Sequence, residues 1–198
     1  MQLKKFTVVF LCLLTLLAAG CGGGQEAKQE VKGKYATITD AAGRTVALDA
    51  EPKRVVALNP SYLGMIDSVG GSIVGRATSK LVTVPESMRE APEIGFVYNI
   101  NMESLVGLKP DLVLAGKNQH EKFVPLLESN NIKVIELDAK TYTEVQDTVR
   151  LLGKIYGTSD KAEQECALLN SEIKAVTDKL PKEKKKIVIM HATASSVT

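Results

Sequence analysis

Apolar and polar positions along this chain fall into blocks whose period changes from one to the next. An apolar run at 6–17 gives way to a polar stretch of Gly, Gln, Lys and Glu at 22–34. Beyond it, Thr37-Ile38-Thr39 and Thr45-Val46-Ala47-Leu48 flank Asp40-Ala41-Ala42-Gly43-Arg44, which predicts a β-hairpin around a glycine-containing turn. Four short aliphatic runs follow, Val55-Val56-Ala57-Leu58, Ile73-Val74, Leu112-Val113-Leu114-Ala115 and Val134-Ile135-Glu136-Leu137, each bounded by Gly, Pro, Asn or Asp. Near-continuous apolar strands imply burial on both faces. Helical patterns at 62–69, 102–108 and 121–129 lie between them, so the order β-α-β-α-β predicts a parallel sheet with flanking helices, an α/β fold.

The period then becomes helical throughout. Val145, Val149, Leu152 and Ile155 form one stripe, interrupted at Gly157-Thr158-Ser159. Asp160 with Glu163 predicts a capping-box start for a second helix, whose stripe is Ala162, Cys166, Leu169, Ile173, Val176 and Leu180. Pro181 and the basic run 182–186 close it, and Ile187-Val188-Ile189-Met190 reads as a new strand, the opening of a second lobe. On domain-size grounds the chain is expected to be a fragment of a longer protein.

The N-terminus carries an export pattern: a basic start at 1–5, the apolar run, then Ala18-Ala19-Gly20 before Cys21. The run falls short of the roughly 20 residues that span a bilayer, so residues 1–20 read as a cleaved signal peptide. Cys21 and the glycines after it resemble the lipobox of bacterial lipoproteins, although the favoured leucine-type residue, Leu17, stands one place early. Lipidation at Cys21 and a flexible tether over 21–34 are expected. Of the 25 Lys and Arg, Lys4 and Lys5 leave with the leader, so the remaining bases equal the 23 acids and no nucleic-acid footprint remains. Of three cysteines, Cys12 leaves with the leader and Cys21 takes lipid, so Cys166 has no disulfide partner.

A set of segments carries a family resemblance: Ile38-Thr39-Asp40 with Gly43-Arg44-Thr45-Val46, Pro52-Lys53-Arg54-Val55-Val56-Ala57-Leu58, Gly95 leading to Asn101-Met102-Glu103-Ser104-Leu105, and Leu108-Lys109-Pro110-Asp111-Leu112-Val113-Leu114-Ala115. In this order the chain resembles the ferric siderophore, haem and cobalamin binding proteins of bacterial ABC importers. The resemblance implies two lobes joined by one long rigid helix, here 160–180, a cleft between the lobes, and capture of an iron chelate, haem or cobalamin for delivery to a permease. It implies a protein held at the cell envelope by its lipid, with no intrinsic cofactor and no catalytic residue. On this reading 35–142 form the N-terminal lobe, 143–181 a helical region with the bridge, and 182–198 the start of the second lobe. The Lys109-Pro110-Asp111 segment also has a reading of its own, since Pro110 ends a helix and disfavours a helical Lys109.

In open parallel sheets ligands sit beyond the carboxyl ends of the strands, which turns the strand list into a site list. The candidates are Asn59, Tyr62, Tyr98, Asn99, Lys117, His120, Tyr142 and His191, with Met65 and Lys80 as further possibilities. Phenols stack on flat macrocycles or, as phenolates, ligate Fe³⁺, and without tryptophan the tyrosines carry most of the stacking capacity. His120 and His191 are the two histidines and stand as candidate metal ligands facing each other across the cleft. A receptor for bare Zn²⁺ or Mn²⁺ is the rival reading, and two histidines speak against it. No nucleophile elbow, dinucleotide fingerprint or Walker loop points to an enzyme. An interaction module on the same scaffold is the other alternative.

Overall fold

The computed structural model of the protein describes residues 34–181 together with 183, 186 and 188. In chain order the strands are β1 (Ala36–Thr39), β2 (Thr45–Leu48), β3 (Val55–Ala57), β4 (Gly75–Thr78), β5 (Glu93–Phe96), β6 (Asn99–Ile100), β7 (Leu112–Gly116) and β8 (Lys133–Leu137). The α-helices are α1 (Leu63–Ser68), α2 (Met102–Gly107), α3 (Val124–Ser129), α4 (Tyr142–Ile155) and α5 (Ser159–Thr177). Single 3-10 turns precede α1 and α3 at Pro60–Tyr62 and Glu121–Phe123.

Strands β3 to β8 make one sheet in the order β6-β5-β4-β3-β7-β8, parallel except for the terminal β5–β6 pair. Side-chain alternation gives it two buried faces. Val55, Ala57, Leu112, Leu114, Ile135 and Leu137 pack with α1, α4 and α5, whereas Val56, Leu58, Val113, Ala115 and Val134 pack with α2 and α3. The order reverses at β3: the chain runs outward through β4, β5 and β6, then returns to β3's other side with β7. That reversal opens a crevice between the carboxyl ends of β3 and β7.

β1 and β2 form the expected antiparallel hairpin. Its turn is fixed by Asp40, whose Oδ1 accepts from the Ala42 and Arg44 N–H groups at 3.0 and 2.9 Å while Oδ2 accepts from the Arg44 guanidinium at 2.7 Å. The same Asp40 Oδ2 accepts from Glu136 N–H at 3.2 Å, and Ala41 N–H donates to Glu136 O at 2.8 Å, so the hairpin covers part of the outer edge of β8.

Two of the segments behind the resemblance prove to be one contact. Asp111 accepts from the Lys53 and Arg54 N–H groups at 2.7 and 3.0 Å, and the Arg54 guanidinium donates to Leu108 O at 2.6 Å, satisfying a carbonyl at the end of α2. Lys109 turns with φ 48°, outside the helical region as Pro110 requires.

Four expectations need correction. The strand expected at Ile73-Val74 lies at Gly75–Thr78, where the buried Arg76 breaks the apolar signal by bonding to the Met88 and Arg89 carbonyls and to Glu93. Strands β5 and β6 had no sequence run of their own. The capping box belongs to α4: Thr141 Oγ1 accepts from Glu144 N–H, and the Glu144 carboxylate accepts from Thr141 N–H. Helix α5 instead starts after Thr158 without a side-chain cap, and Glu163 bonds Arg150 at 3.0 Å. Finally, the α5 stripe is covered only in its first half, since Ala162 and Cys166 are buried while Ile173 and Val176, and Leu180 just past the helix end, are exposed. The leader, Cys21, all of the tether but Lys34, His191 and most of the strand at 187–190 lie outside the described residues.

Candidate ligand-binding cleft

The crevice at the order reversal is a cleft of about 650 Å³. Three segments shape it. The turn after β3 supplies Asn59, which starts the 3-10 turn by accepting from Ser61 N–H at 2.9 Å through Oδ1. Its Nδ2 donates to Gln119 Oε1 at 2.9 Å, so one amide ties the ends of β3 and β7 together. The turn after β7 supplies Gly116, Lys117, Asn118 and Gln119, with Asn118 at φ 59°. A Cβ on Gly116 would lie 2.7 Å from Gln119 Oε1, so a larger residue there would push the Gln119 amide away from Asn59. The β5–β6 turn supplies Tyr98, 75 % exposed at its tip.

Four of the eight candidates therefore share one wall: Asn59, Tyr62, Tyr98 and Lys117 line the cleft, with Met65 half-buried beside them. Tyr62 contributes its ring but not a free hydroxyl. Its side chain is buried and its OH donates to Leu137 O at 2.8 Å. Burial pushes the phenol far above its usual range, with the nearby acids Asp138 and Glu136 adding to the shift, and the hydroxyl is already committed to Leu137 O, so it is not presented to the cleft as an iron ligand. Asn99 pairs with Phe96 in the hairpin and stays exposed outside the lining. Tyr142 stands at the start of α4 and donates to Asn170 Oδ1 at 2.9 Å, bracing α4 against α5 away from the cleft. Lys80 is likewise outside the lining, and His191 is outside the described residues.

His120 departs most from its sequence reading. It is fully buried, its Nδ1 accepts from Gly116 N–H at 2.9 Å, and its Nε2 lies 2.7 Å from Val97 O. Because one partner only donates and the other only accepts, the ring is the neutral tautomer with the proton on Nε2. Burial holds its pKa below the usual value, the Val97 bond opposing that shift in part. Both nitrogens are used, so no lone pair is left for a metal. Among the described residues no group of three or more His, Cys, Asp and Glu stands ready to hold a metal ion.

Residues without an individual sequence signal complete the wall. Asp138 and Lys140 form an ion pair at 2.9 Å at the end of β8, cancelling each other's charge. Asn118 and Gln119 lie between the candidates Lys117 and His120 in the turn after β7, and the pairing of Gln119 with Asn59 across the reversal brings Gln119 into the site. Against the far side of β8 a smaller hollow of about 260 Å³ shares Lys117 and Asp138 with the cleft. It is lined by the buried Glu136, whose Oε2 lies 3.4 Å from Arg44 and whose Oε1 lacks a hydrogen-bond partner. Burial raises the pKa of this carboxyl, and Arg44 lowers it less.

The sequence pattern of the family described as "Periplasmic binding protein" matches residues 55–197. The chain belongs to this family. It is 29 % identical over 197 residues to the uncharacterized ABC transporter substrate-binding lipoprotein YvrC of Bacillus subtilis strain 168, covering 92 % of this chain and 62 % of that protein. It is 31 % identical over 148 residues to a cobalamin-binding protein of Halobacterium salinarum, covering 73 % of this chain and 40 % of the other. The crystal structure of Staphylococcus aureus SirA complexed with staphyloferrin B superimposes with a TM-score of 0.61 at 27 % identity, over 72 % of this chain and 49 % of that one. The chain thus spans about half of these relatives' lengths, and the α/β fold expected from its sequence is the fold it shares with the superimposed structure. The names these relatives carry are those of binding proteins.

Proposed function

We propose that this chain contributes the N-terminal lobe and bridging helix of a substrate-binding lipoprotein of an ABC importer. It captures an iron-siderophore, haem or cobalamin in the cleft and passes it to the permease. The single observation that carries the reading is the placement of the cleft at the β3–β7 reversal, where the polar side chains of Asn59, Lys117 and Gln119 line the same cleft as the exposed Tyr98. The relatives named for cobalamin and crystallised with staphyloferrin B support the ligand class. A lipoprotein relative supports attachment through Cys21 and an extracytoplasmic location. The division proposed with this reading is a leader at 1–20, a tether at 21–34, a lobe at 35–142, a helical region at 143–181 and the first residues of a second lobe at 182–198. As a receptor, the chain releases its ligand chemically unchanged.

The test is thermal unfolding of the chain with cyanocobalamin, haemin, ferric citrate or ferric staphyloferrin B. A receptor gains about 2.7 kcal/mol when ligand stands at a hundred times its Kd, so one of the four should raise the midpoint in a saturable way. The same titration is run on a protein carrying both lobes, where an unchanged midpoint with all four contradicts the reading.

A further inference from the structure

The ends of β5 and β7 both contribute to the cleft, yet β4 and β3 lie between them in the sheet, so no ladder hydrogen bond couples the two ends. His120 does so. Its Nδ1 holds Gly116 N–H at the end of β7, and its Nε2–H donates to the carbonyl of Val97, the residue before Tyr98. Among the described residues the other ties of the β5–β6 hairpin are its own Gly95–Ile100 and Phe96–Asn99 pairing, Val97 N–H to Thr78 O at 3.0 Å, Thr78 Oγ1 to Gly95 O at 3.2 Å and Asn101 N–H to Ile94 O at 2.8 Å, none of which reaches β7. The ring is fully buried and lies against Phe123, with centroids 6.2 Å apart, so its orientation is fixed by packing as well as by both bonds.

We propose that His120 is a positioning residue that clamps the β5–β6 turn, and with it Tyr98, to the end of β7, presetting the aromatic arm of the cleft before ligand arrives. The proposal rests on the reading of this cleft as the ligand site, because Tyr98 is the element being aimed. Its physical basis is preorganisation: an exposed ring on a two-residue turn otherwise loses freedom on binding, and the clamp takes that loss during folding. Histidine suits the task because the gap needs an acceptor at one end and a donor at the other on a rigid plate, which one neutral imidazole supplies.

Two substitutions separate the clamp from simple packing. Asparagine at 120 places its Oδ1 where Nδ1 accepts from Gly116 but cannot reach Val97, whereas glutamine places an N–H donor as many bonds from Cβ as Nε2 and keeps the Val97 contact. Amide hydrogen exchange of the full chain, without ligand, is the readout. In His120→Asn the amides of residues 96–99 should exchange about tenfold faster than in the parent, and in His120→Gln within about twofold, with the central strands unchanged in both. Unchanged protection in His120→Asn, or equal loss in the two variants, overturns the proposal. With whichever of the four chelates binds the parent chain, His120→Asn should weaken affinity about tenfold, and the loss should vanish in a Tyr98→Ala background. Persistence of the full loss there also overturns it. If no chelate binds, the exchange experiment still decides the clamp, and the failure belongs to the ligand reading instead.

Discussion

Gly153 offers a prediction whose sign follows from geometry. It sits in α4 where α5 crosses, and a Cβ built on it would lie 2.4 Å from the Ala162 Cβ, 3.3 Å from Ser159 Cα and 3.3 Å from Thr158 O. Two methyl-type carbons in contact need more than 3.4 Å, so the overlap exceeds an ångström, and a Cβ cannot rotate away. In Gly153→Ala the overpacking costs about 1–3 kcal/mol, against which alanine's better helix propensity returns roughly 0.8–1 kcal/mol. The net is a destabilisation of about 1 kcal/mol, up to roughly 2 kcal/mol where the helices cannot part. Gly64→Ala in α1 is the control, because nothing lies within 4 Å of that Cβ and the same substitution should be neutral or stabilising. The assay is urea unfolding, read at the midpoint with a constant slope. Adding Ala162→Gly to Gly153→Ala removes the clash, so the double variant should be more stable than the sum of the singles implies by about 1 kcal/mol. Gly153→Ala as neutral or stabilising as Gly64→Ala, or strict additivity in the cycle, would refute the close crossing of α4 and α5.

Tyr62→Phe removes the hydroxyl bonded to Leu137 O and should cost about 1 kcal/mol of stability while leaving the visible spectrum of any bound ferric chelate unchanged. A shifted charge-transfer band in that variant would restore Tyr62 as a ligand. Stability against pH should show two windows of opposite sign. His120 holds its proton less tightly folded than unfolded, so its contribution is whole above the ordinary value of 6.5 and is lost as pH falls from there through the depressed folded value. Glu136 holds its proton more tightly folded, so its contribution is whole below the ordinary 4.5 and is lost as pH rises through the raised folded value. Urea midpoints across acid to neutral pH should lose the first slope in His120→Gln and the second in Glu136→Gln. Identical profiles in all three proteins would contradict both assignments.

The features legible from sequence were those with short-range causes. The hairpin around Asp40, strands β3, β7 and β8, and the break at Gly157, where φ is 68°, all follow from turn chemistry or from short continuous apolar runs. β4 hid because its buried residues are Gly75, Arg76 and Ala77, none a large aliphatic side chain, and the buried Arg76 is satisfied by partners 12 to 17 residues away. The capping box was misplaced because Thr-x-x-Glu at 141–144 and Asp-x-x-Glu at 160–163 look alike in sequence, and only the contact with Arg150 tells what Glu163 does. Within the cleft, strand-end logic brought Asn59, Tyr98 and Lys117 together because it depends on topology. It failed for His120 and Tyr142, whose polar atoms are spent on Val97, Gly116 and Asn170. Which polar atoms remain free is a property of three-dimensional pairing and leaves no trace in spacing.

The most direct test of the central claim, that ligand lies in the strand-end cleft, is to compare the affinities of Tyr98→Ala and Tyr142→Ala for the chelate that stabilises the parent chain. Tyr98 is 75 % exposed, so its loss should leave the unfolding midpoint nearly unchanged. Affinity should nevertheless fall about tenfold as an aromatic contact is removed, while Tyr142→Ala, which loosens α4 from α5, should bind as the parent does. Equal affinity in the parent and Tyr98→Ala, or a loss confined to Tyr142→Ala, would place the ligand elsewhere and contradict the account.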